Sequence, residues 1–183
     1  MPTHTYLCLF DLHAYDERVA PALRLYAHDY QPKAVVALLE DVIRRAPPGI
    51  EDYEHWKVSI EPDAGNKPSE QTLRELTGML IRQFCLPMPP VQLDQFVPWL
   101  SNQSEWFADL MQGGEGLSGG SLEFPYGTGR LVATRQQIKH FEDEVTRIAP
   151  PEGDLAKEYL RLREMVARAD GNASYTLLKT SLE

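Results

Sequence analysis

A helical repeat of apolar side chains is the most regular feature of the sequence. After Pro32, apolar residues recur at positions i, i+3, i+4, i+7, i+8 and i+11, and they are Val35, Leu38, Leu39, Val42, Ile43 and Ala46. Because an α-helix has about 3.6 residues per turn, these side chains share one face. The pattern predicts an amphipathic helix that begins near Pro32 and ends before the Pro47-Pro48-Gly49 run.

Four more stretches predict helices. One follows Pro21 as far as about Ala27, and Pro68 opens a second, which ends before the prolines at 87–90. The other two lie in the last third of the chain, where Thr134 with Gln137 forms a capping box and Asp154 caps the next helix. Their apolar stripes predict two packed helices and consist of Ile138, Phe141, Val145, Ile148, Leu155, Tyr159, Leu162 and Val166.

Short apolar runs at four places predict strands. Tyr6–Phe10 is continuous and aromatic, which favours a buried strand. Residues 55–60 alternate between apolar and polar, as a half-buried strand does. Residues 121–133 contain two short strand patterns, and Ser174–Leu182 tolerates a terminal strand. We therefore expect an α+β fold in a single domain, residues 1–183, with a small sheet covered by five to seven helices.

Residues 91–112 predict a pair of short helices rich in large apolar groups. Pro98 disfavours a helical conformation at Val97, because its ring clashes with the backbone of the preceding residue. Ser104 can cap a helix at 105–112. Trp99 and Trp106 in this segment have two readings: an exposed protein-binding patch, or core filling, which is the usual role of large aromatics.

A glycine-rich stretch, residues 113–130, is the sharpest break in the pattern. Ser118 lies in a Gly-x-Ser-x-Gly sequence, yet the helix before it and the strand pattern after it are the reverse of a nucleophile elbow. Gly120 stands where a phosphate-binding loop needs its lysine. We therefore expect no catalytic residue there. Tyr126, Arg130 and the first-turn residue Arg135 could still bind an anionic ligand or a partner, alongside Ser118.

Charge narrows the classes of partner. The net charge is −9, from 18 basic and 27 acidic residues. Nucleic acid and anionic membrane are disfavoured, because binding phosphates requires a basic surface. A basic protein partner is compatible with this charge, and so is simple solubility. No apolar run approaches the roughly 20 residues that span a bilayer, and residues 1–11 lack a signal-peptide pattern, so a cytoplasmic location is expected.

Histidines offer candidate ligands without a metal-binding pattern. His13 follows Asp11 by two positions, and the two would share a face if the first strand extended that far. His55 lies on the polar face of its predicted strand, and His140 with Glu144 has the spacing of a surface pair on a helix. We expect no metal and no cofactor.

The C-terminal part resembles the YfbM-like domains of bacteria. The likeness is carried by Gly113-Gly-Glu-x-Leu117, Tyr126-Gly-x-x-Arg130, the helix that follows Thr134, and a second helix with Tyr159 and Leu162 before a final strand. It covers residues 113–183, while the proline-rich middle of the chain departs from the family. The resemblance implies a compact α+β bacterial cytoplasmic domain with a conformationally demanding loop at 113–130. The family has no established activity, so it implies no catalytic residue.

Two hypotheses of function follow. The first is a non-enzymatic protein-binding domain, either regulatory or an acidic partner of a basic protein, as immunity proteins and antitoxins are. The alternative is a small-molecule-binding or hydrolytic enzyme with its site in the loop 113–130.

Overall fold

The computed structural model describes residues 4–45, 60, 67–84, 88–112, 130–133 and 135–182. They fall into two compact units. The sheet unit contains the described residues of 4–12 and 88–182, and the helical unit contains those of 13–84. Strands and helices together confirm the α+β fold class, and the single domain stays a prediction.

Four strands form one antiparallel sheet in the order β2-β1-β4-β3. They are β1 (His4–Asp11), β2 (Val91–Gln92), β3 (Arg130–Ala133) and β4 (Tyr175–Leu182). The two ends of the chain thus supply the central pair, which confirms both terminal strand predictions. Of the strand patterns at 121–133, residues 130–133 are in the sheet, and 121–129 lie outside the described residues.

The central pair runs in register over its whole length, from His4 opposite Leu182 to Asp11 opposite Tyr175. Leu7 through Phe10 are all buried, so both faces of β1 are covered. This explains why its sequence is a continuous apolar run, because only a strand with one solvated face alternates.

The edge strand β2 was not predicted, and side chains limit its length. Leu7 pairs with Val91 and Tyr6 with Gln92. Beyond this pair, the Thr5 N–H donates to Oδ1 of Asp94 at 3.3 Å. The Gln92 N–H donates to Oε2 of Glu158 at 3.0 Å. Carboxylates therefore satisfy backbone donors at this edge in place of a longer strand.

Four helices complete the sheet unit, and we number them after those of the helical unit. They are α5 (Leu93–Ser101), α6 (Glu105–Gln112), α7 (Arg135–Arg147) and α8 (Leu155–Gly171). They share one hydrophobic core with the sheet. Its buried residues are Leu7, Leu9, Val91, Leu93, Phe96, Leu100, Phe107, Leu110, Ile138, Phe141, Val145, Ile148, Tyr159, Leu162, Met165, Val166, Ala169 and Leu177.

Pro98 lies inside α5, so the prediction that it would keep Val97 out of a helix is wrong. A proline there has no N–H to donate to the carbonyl one turn earlier, a loss of about 1 kcal/mol. Leu93, Phe96 and Leu100 on the buried face outweigh this loss, since burying each contributes about 1.5–3 kcal/mol. Pro98 itself is exposed.

The two predicted C-terminal helices are confirmed as α7 and α8, which pack against each other. Tyr159 on α8 joins them, because its buried hydroxyl lies 3.0 Å from the carbonyl oxygen of Val145 and 2.9 Å from that of Ile148. Val145 lies in the last turn of α7, where no intrahelical donor remains, and Ile148 directly follows the helix. The predicted Asp154 cap is wrong: Asp154 is itself helical in φ and ψ and makes no side-chain capping bond.

The helical unit begins at His13, within α1 (Leu12–Ala14). A π-helical segment (Tyr15–Val19) and α2 (Ala20–Asp29) follow α1 in continuous succession. α3 (Lys33–Arg45) and α4 (Glu70–Phe84) follow. In the apolar stripes of these two helices, Val42 is half-buried, and the buried side chains are Val35, Leu38, Leu39, Leu73, Leu76 and Leu80. Tyr30 ends α2 in the left-handed conformation, with φ of 55°.

Ile60 is the one described residue of the strand predicted at 55–60, and it is helical, so that prediction is wrong at this position. Its side chain is buried. The physical reason lies in the spacing: Trp56 and Ile60 are separated by four positions, which fits a helical repeat as well as an alternating one.

Candidate functional site

The glycine-rich loop that we considered as a ligand site lies almost entirely outside the described residues. Ser118 and Tyr126 are both in the undescribed range 113–129. Arg135 begins α7, in the first turn where the sequence placed it. Arg130 is the first residue of β3, whereas the sequence placed it just before the strand. Only the backbone of these two residues is described. The ligand-binding role of these four residues therefore stays a prediction.

Two of the described histidines, His13 and His140, take part in pairwise contacts. His13 lies in α1, whereas Asp11 is the last residue of β1, so the two do not extend one strand face. The His13 Nε2 is 3.2 Å from Oε1 of Glu17, and both side chains are mostly exposed. Among the residues that the structure describes, no group of three or more His, Cys, Asp or Glu side chains is placed to hold a metal ion. His55 lies outside them.

Two described groups have clearly shifted pKa values, and both shifts have structural causes. Burial raises the pKa of the Tyr15 hydroxyl well above its usual range; neighbouring Asp16 adds to the shift and Arg24 opposes it. The pKa of Lys139 is raised mainly by its hydrogen bond to Glu142 on the surface of α7. A shifted pKa alone assigns no acid–base role to either side chain.

The two tryptophans singled out from the sequence lie on α5 and α6 and are half-buried against the core. Trp99 stacks on Phe96, with ring centroids 5.4 Å apart, and meets the Tyr159 ring edge-on at 6.0 Å. Trp106 contacts Phe107 at 5.3 Å and Phe141 at 5.8 Å. Each indole therefore stabilises the fold while part of it remains accessible to a partner.

His140 packs edge-on against Trp106, with ring centroids 4.4 Å apart. Glu144, which the sequence pairs with His140 on the helix surface, instead accepts hydrogen bonds from Ser104 at 3.4 Å and Arg147 at 3.1 Å. The histidine thus joins α7 to α6 through an aromatic contact.

The α5–α6 surface, which we define as Val97, Trp99, Glu105, Trp106 and Asp109, has two acidic side chains and no basic one among these residues. No Lys, Arg or His occurs between positions 91 and 112. Glu105 and Asp109 are exposed on α6. Neither forms an ion pair with any residue in the described parts of the chain.

The chain matches no family model, no curated protein and no solved structure. Within the described ranges, no helix combines the length and apolarity needed to cross a bilayer.

The α5–α6 surface offers a basic partner two kinds of contact. Exposed carboxylates accept charge-assisted hydrogen bonds from lysine or arginine side chains. A partly accessible indole beside them can receive a cation over its face, an interaction worth about 0.5–2 kcal/mol depending on desolvation. Sequence reasoning singled out the tryptophans and missed Glu105 and Asp109. The signal was present: an acidic, aromatic segment with no basic residue, in a chain that contains 18 of them.

Proposed function

We propose that this protein is a non-enzymatic protein-binding domain whose α5–α6 surface contacts a basic partner protein. The observation that carries the proposal is the combination on this surface of accessible indole and unneutralised carboxylates. Immunity proteins and antitoxins act in this way, by covering a basic protein with an acidic surface, and a regulatory domain would use the same contact.

Repulsion between the two carboxylates on α6 favours a cationic partner. Glu105 and Asp109 are four positions apart, so they lie on the same face one turn from each other. Two like charges in this relation destabilise a helix by about 0.2–0.5 kcal/mol. A lysine or arginine placed between them would remove that repulsion and gain a hydrogen bond to each. Electrostatic attraction would also raise the association rate.

Location and family form part of the same proposal. Residues 113–183 resemble the YfbM-like domains, which implies a bacterial cytoplasmic protein. A small acidic domain in that compartment would meet basic proteins at an ionic strength where charges separated by more than about 8 Å are screened. The apolar contact of Trp99 and Trp106 with a partner is largely independent of salt, so it would add affinity that screening does not remove.

Affinity capture with matched charge-reversal variants tests the proposal. The variant Glu105→Lys/Asp109→Lys reverses the proposed surface. The control Glu152→Lys/Asp154→Lys reverses two carboxylates that are also exposed, in the segment before α8. Both change the net charge equally. We expect the wild type and the control to retain the same basic protein at low salt, and the α6 variant to retain at least about tenfold less.

Two results would contradict the proposal. One is a partner that binds the α6 variant as well as it binds the wild type. The other is equal loss of binding in the variant and the control, since that would show dependence on net charge rather than on this surface. Thermal unfolding of both variants establishes that each is folded before binding is compared.

A further inference from the structure

The outward face of α8 differs in charge from the protein as a whole. We define the α8 outward face as its exposed side chains, which are Lys157, Leu160, Arg163, Glu164, Ala167 and Arg168. Three of the six are cations and one is an anion, in a chain whose net charge is −9. This face is therefore locally basic.

A large apolar side chain lies at its centre. Leu160 is 61% exposed. Lys157 and Arg163 stand three positions before and after it, which places each about 4.5 Å along the helix axis from Leu160 and about 60° to either side. An apolar contact point is thus flanked by two cations.

The two flanking cations are not neutralised by neighbours. Glu164 binds Arg168 at 2.7 Å, and Glu158 in the same way binds Arg161 at 2.7 Å. Lys157 and Arg163 form no ion pair with any residue in the part of the chain that the structure describes. The guanidinium carbon of Arg163 lies 6.0 Å from the centre of the Tyr159 ring, which restricts its position.

We propose that the α8 outward face docks an acidic helical segment of a partner protein. An apolar side chain of the partner covers Leu160, and carboxylates on either side of it pair with Lys157 and Arg163. The exposed apolar side chain alone would not identify an occupant, since single exposed leucines are common. The positive charges of Lys157 and Arg163 favour an acidic occupant by electrostatic complementarity.

A second copy of this chain fits the face poorly. In an antiparallel two-fold dimer centred on Leu160, Arg163 of one copy would face Lys157 of the other. In a parallel two-fold dimer each of these cations would face its own counterpart. Both arrangements bring like charges together, so an acidic partner is favoured over self-association.

Binding of a defined peptide tests this inference. The probe is a helical peptide with one leucine between two glutamates spaced one turn before and after it, and its counterpart has glutamine in place of both glutamates. We expect the glutamate peptide to bind at least about tenfold more tightly than the glutamine peptide, measured by fluorescence anisotropy at low salt. Lys157→Glu should weaken the glutamate peptide about tenfold, and Leu160→Ser several-fold.

Lys33→Glu is the matched control, because Lys33 is also exposed and also forms no ion pair with a described residue. It should change binding less than twofold. The inference is overturned if the two peptides bind equally, if neither binds at about 1 mM, or if Lys33→Glu has the effect of Lys157→Glu. A concentration-dependent dimer that Leu160→Ser abolishes would also overturn it, in favour of a second copy. Retention of the basic protein at the α5–α6 surface is measured separately, so the two proposals can fail independently.

Discussion

The α5–α6 surface and the α8 outward face belong to the same unit and carry opposite charges. The first has exposed carboxylates and no basic residue along its segment of sequence. The second has two cations beside Leu160 that form no ion pair with described residues. A net charge of −9 describes neither. The net charge of the whole chain bears on solubility, whereas the kind of partner that binds depends on the charged and apolar side chains exposed on one face.

The two surfaces also differ in how their apolar groups are supported. Trp99 and Trp106 are wedged against Phe96, Phe107 and Phe141, so replacing the supporting rings should disturb both surface and core. Leu160 is mostly exposed, so replacing it should leave the core intact. Stability measurements can separate these two situations.

Phe107→Ala should have the largest effect on stability. Phe107 is fully buried and contacts the Phe141 ring edge-on at 4.9 Å. Truncating a buried phenylalanine costs about 3–5 kcal/mol, from lost transfer energy and the cavity left behind. Leu160→Ala, the comparison on the other surface, should change the free energy of unfolding by less than about 0.5 kcal/mol. Urea denaturation measures both free energies of unfolding. Equal losses would contradict the claim that the apolar groups of the α5–α6 surface are packed against the core while Leu160 is not.

Tyr159→Phe should have the next largest effect. The substitution keeps the ring that contacts Trp99 and removes the hydroxyl that hydrogen-bonds the carbonyls at the end of α7. We expect a loss of about 1–3 kcal/mol, because a buried carbonyl is left without its donor. Tyr30→Phe is the control, since the Tyr30 hydroxyl makes no hydrogen bond to any described residue. If both variants unfold at the same denaturant concentration, Tyr159 does not join α7 to α8 as described.

Pro98→Ala should have a smaller effect than Phe107→Ala and Tyr159→Phe, and the opposite sign. The alanine N–H can complete the hydrogen bond that Pro98 leaves out of α5, while the proline's restriction of the unfolded chain is lost. We expect a net gain of roughly 1 kcal/mol in the free energy of unfolding. Pro150→Ala should give no such gain, because Pro150 is exposed and lies outside the helices, after the end of α7. A destabilised Pro98→Ala protein would show that the ring itself supports α5.

Sequence patterns predicted the elements whose own residues decide their structure. The helices at 33–45, 135–147 and 155–171 have long apolar stripes, and the continuous run at Tyr6–Phe10 matches a strand covered on both faces. The failures are places where distant residues decide. β2 has only two residues and exists through its pairing with β1, and α5 is helical at Pro98 because its buried face is anchored in the core.

The candidate surfaces, too, were predicted from the sequence only in part. The tryptophans could be named from sequence because large aromatics stand out singly. The charge of each face could not, since it depends on which residues a helix turns outward and which of them already have partners. For α8 part of the signal was available: Leu160 falls outside the stripe of Tyr159, Leu162 and Val166, between two cations at helical spacing.

The most direct test of two oppositely charged surfaces is a crossed comparison of dissociation constants. The captured basic protein and the glutamate peptide are each titrated against Glu105→Lys/Asp109→Lys, Lys157→Glu/Arg163→Glu and the control Glu152→Lys/Asp154→Lys. We predict that the α6 reversal weakens only the basic protein, that the α8 reversal weakens only the peptide, and that the control changes neither by more than about twofold. If the control weakens binding of the basic protein as much as the α6 reversal does, binding follows net charge and the account of two distinct surfaces is contradicted.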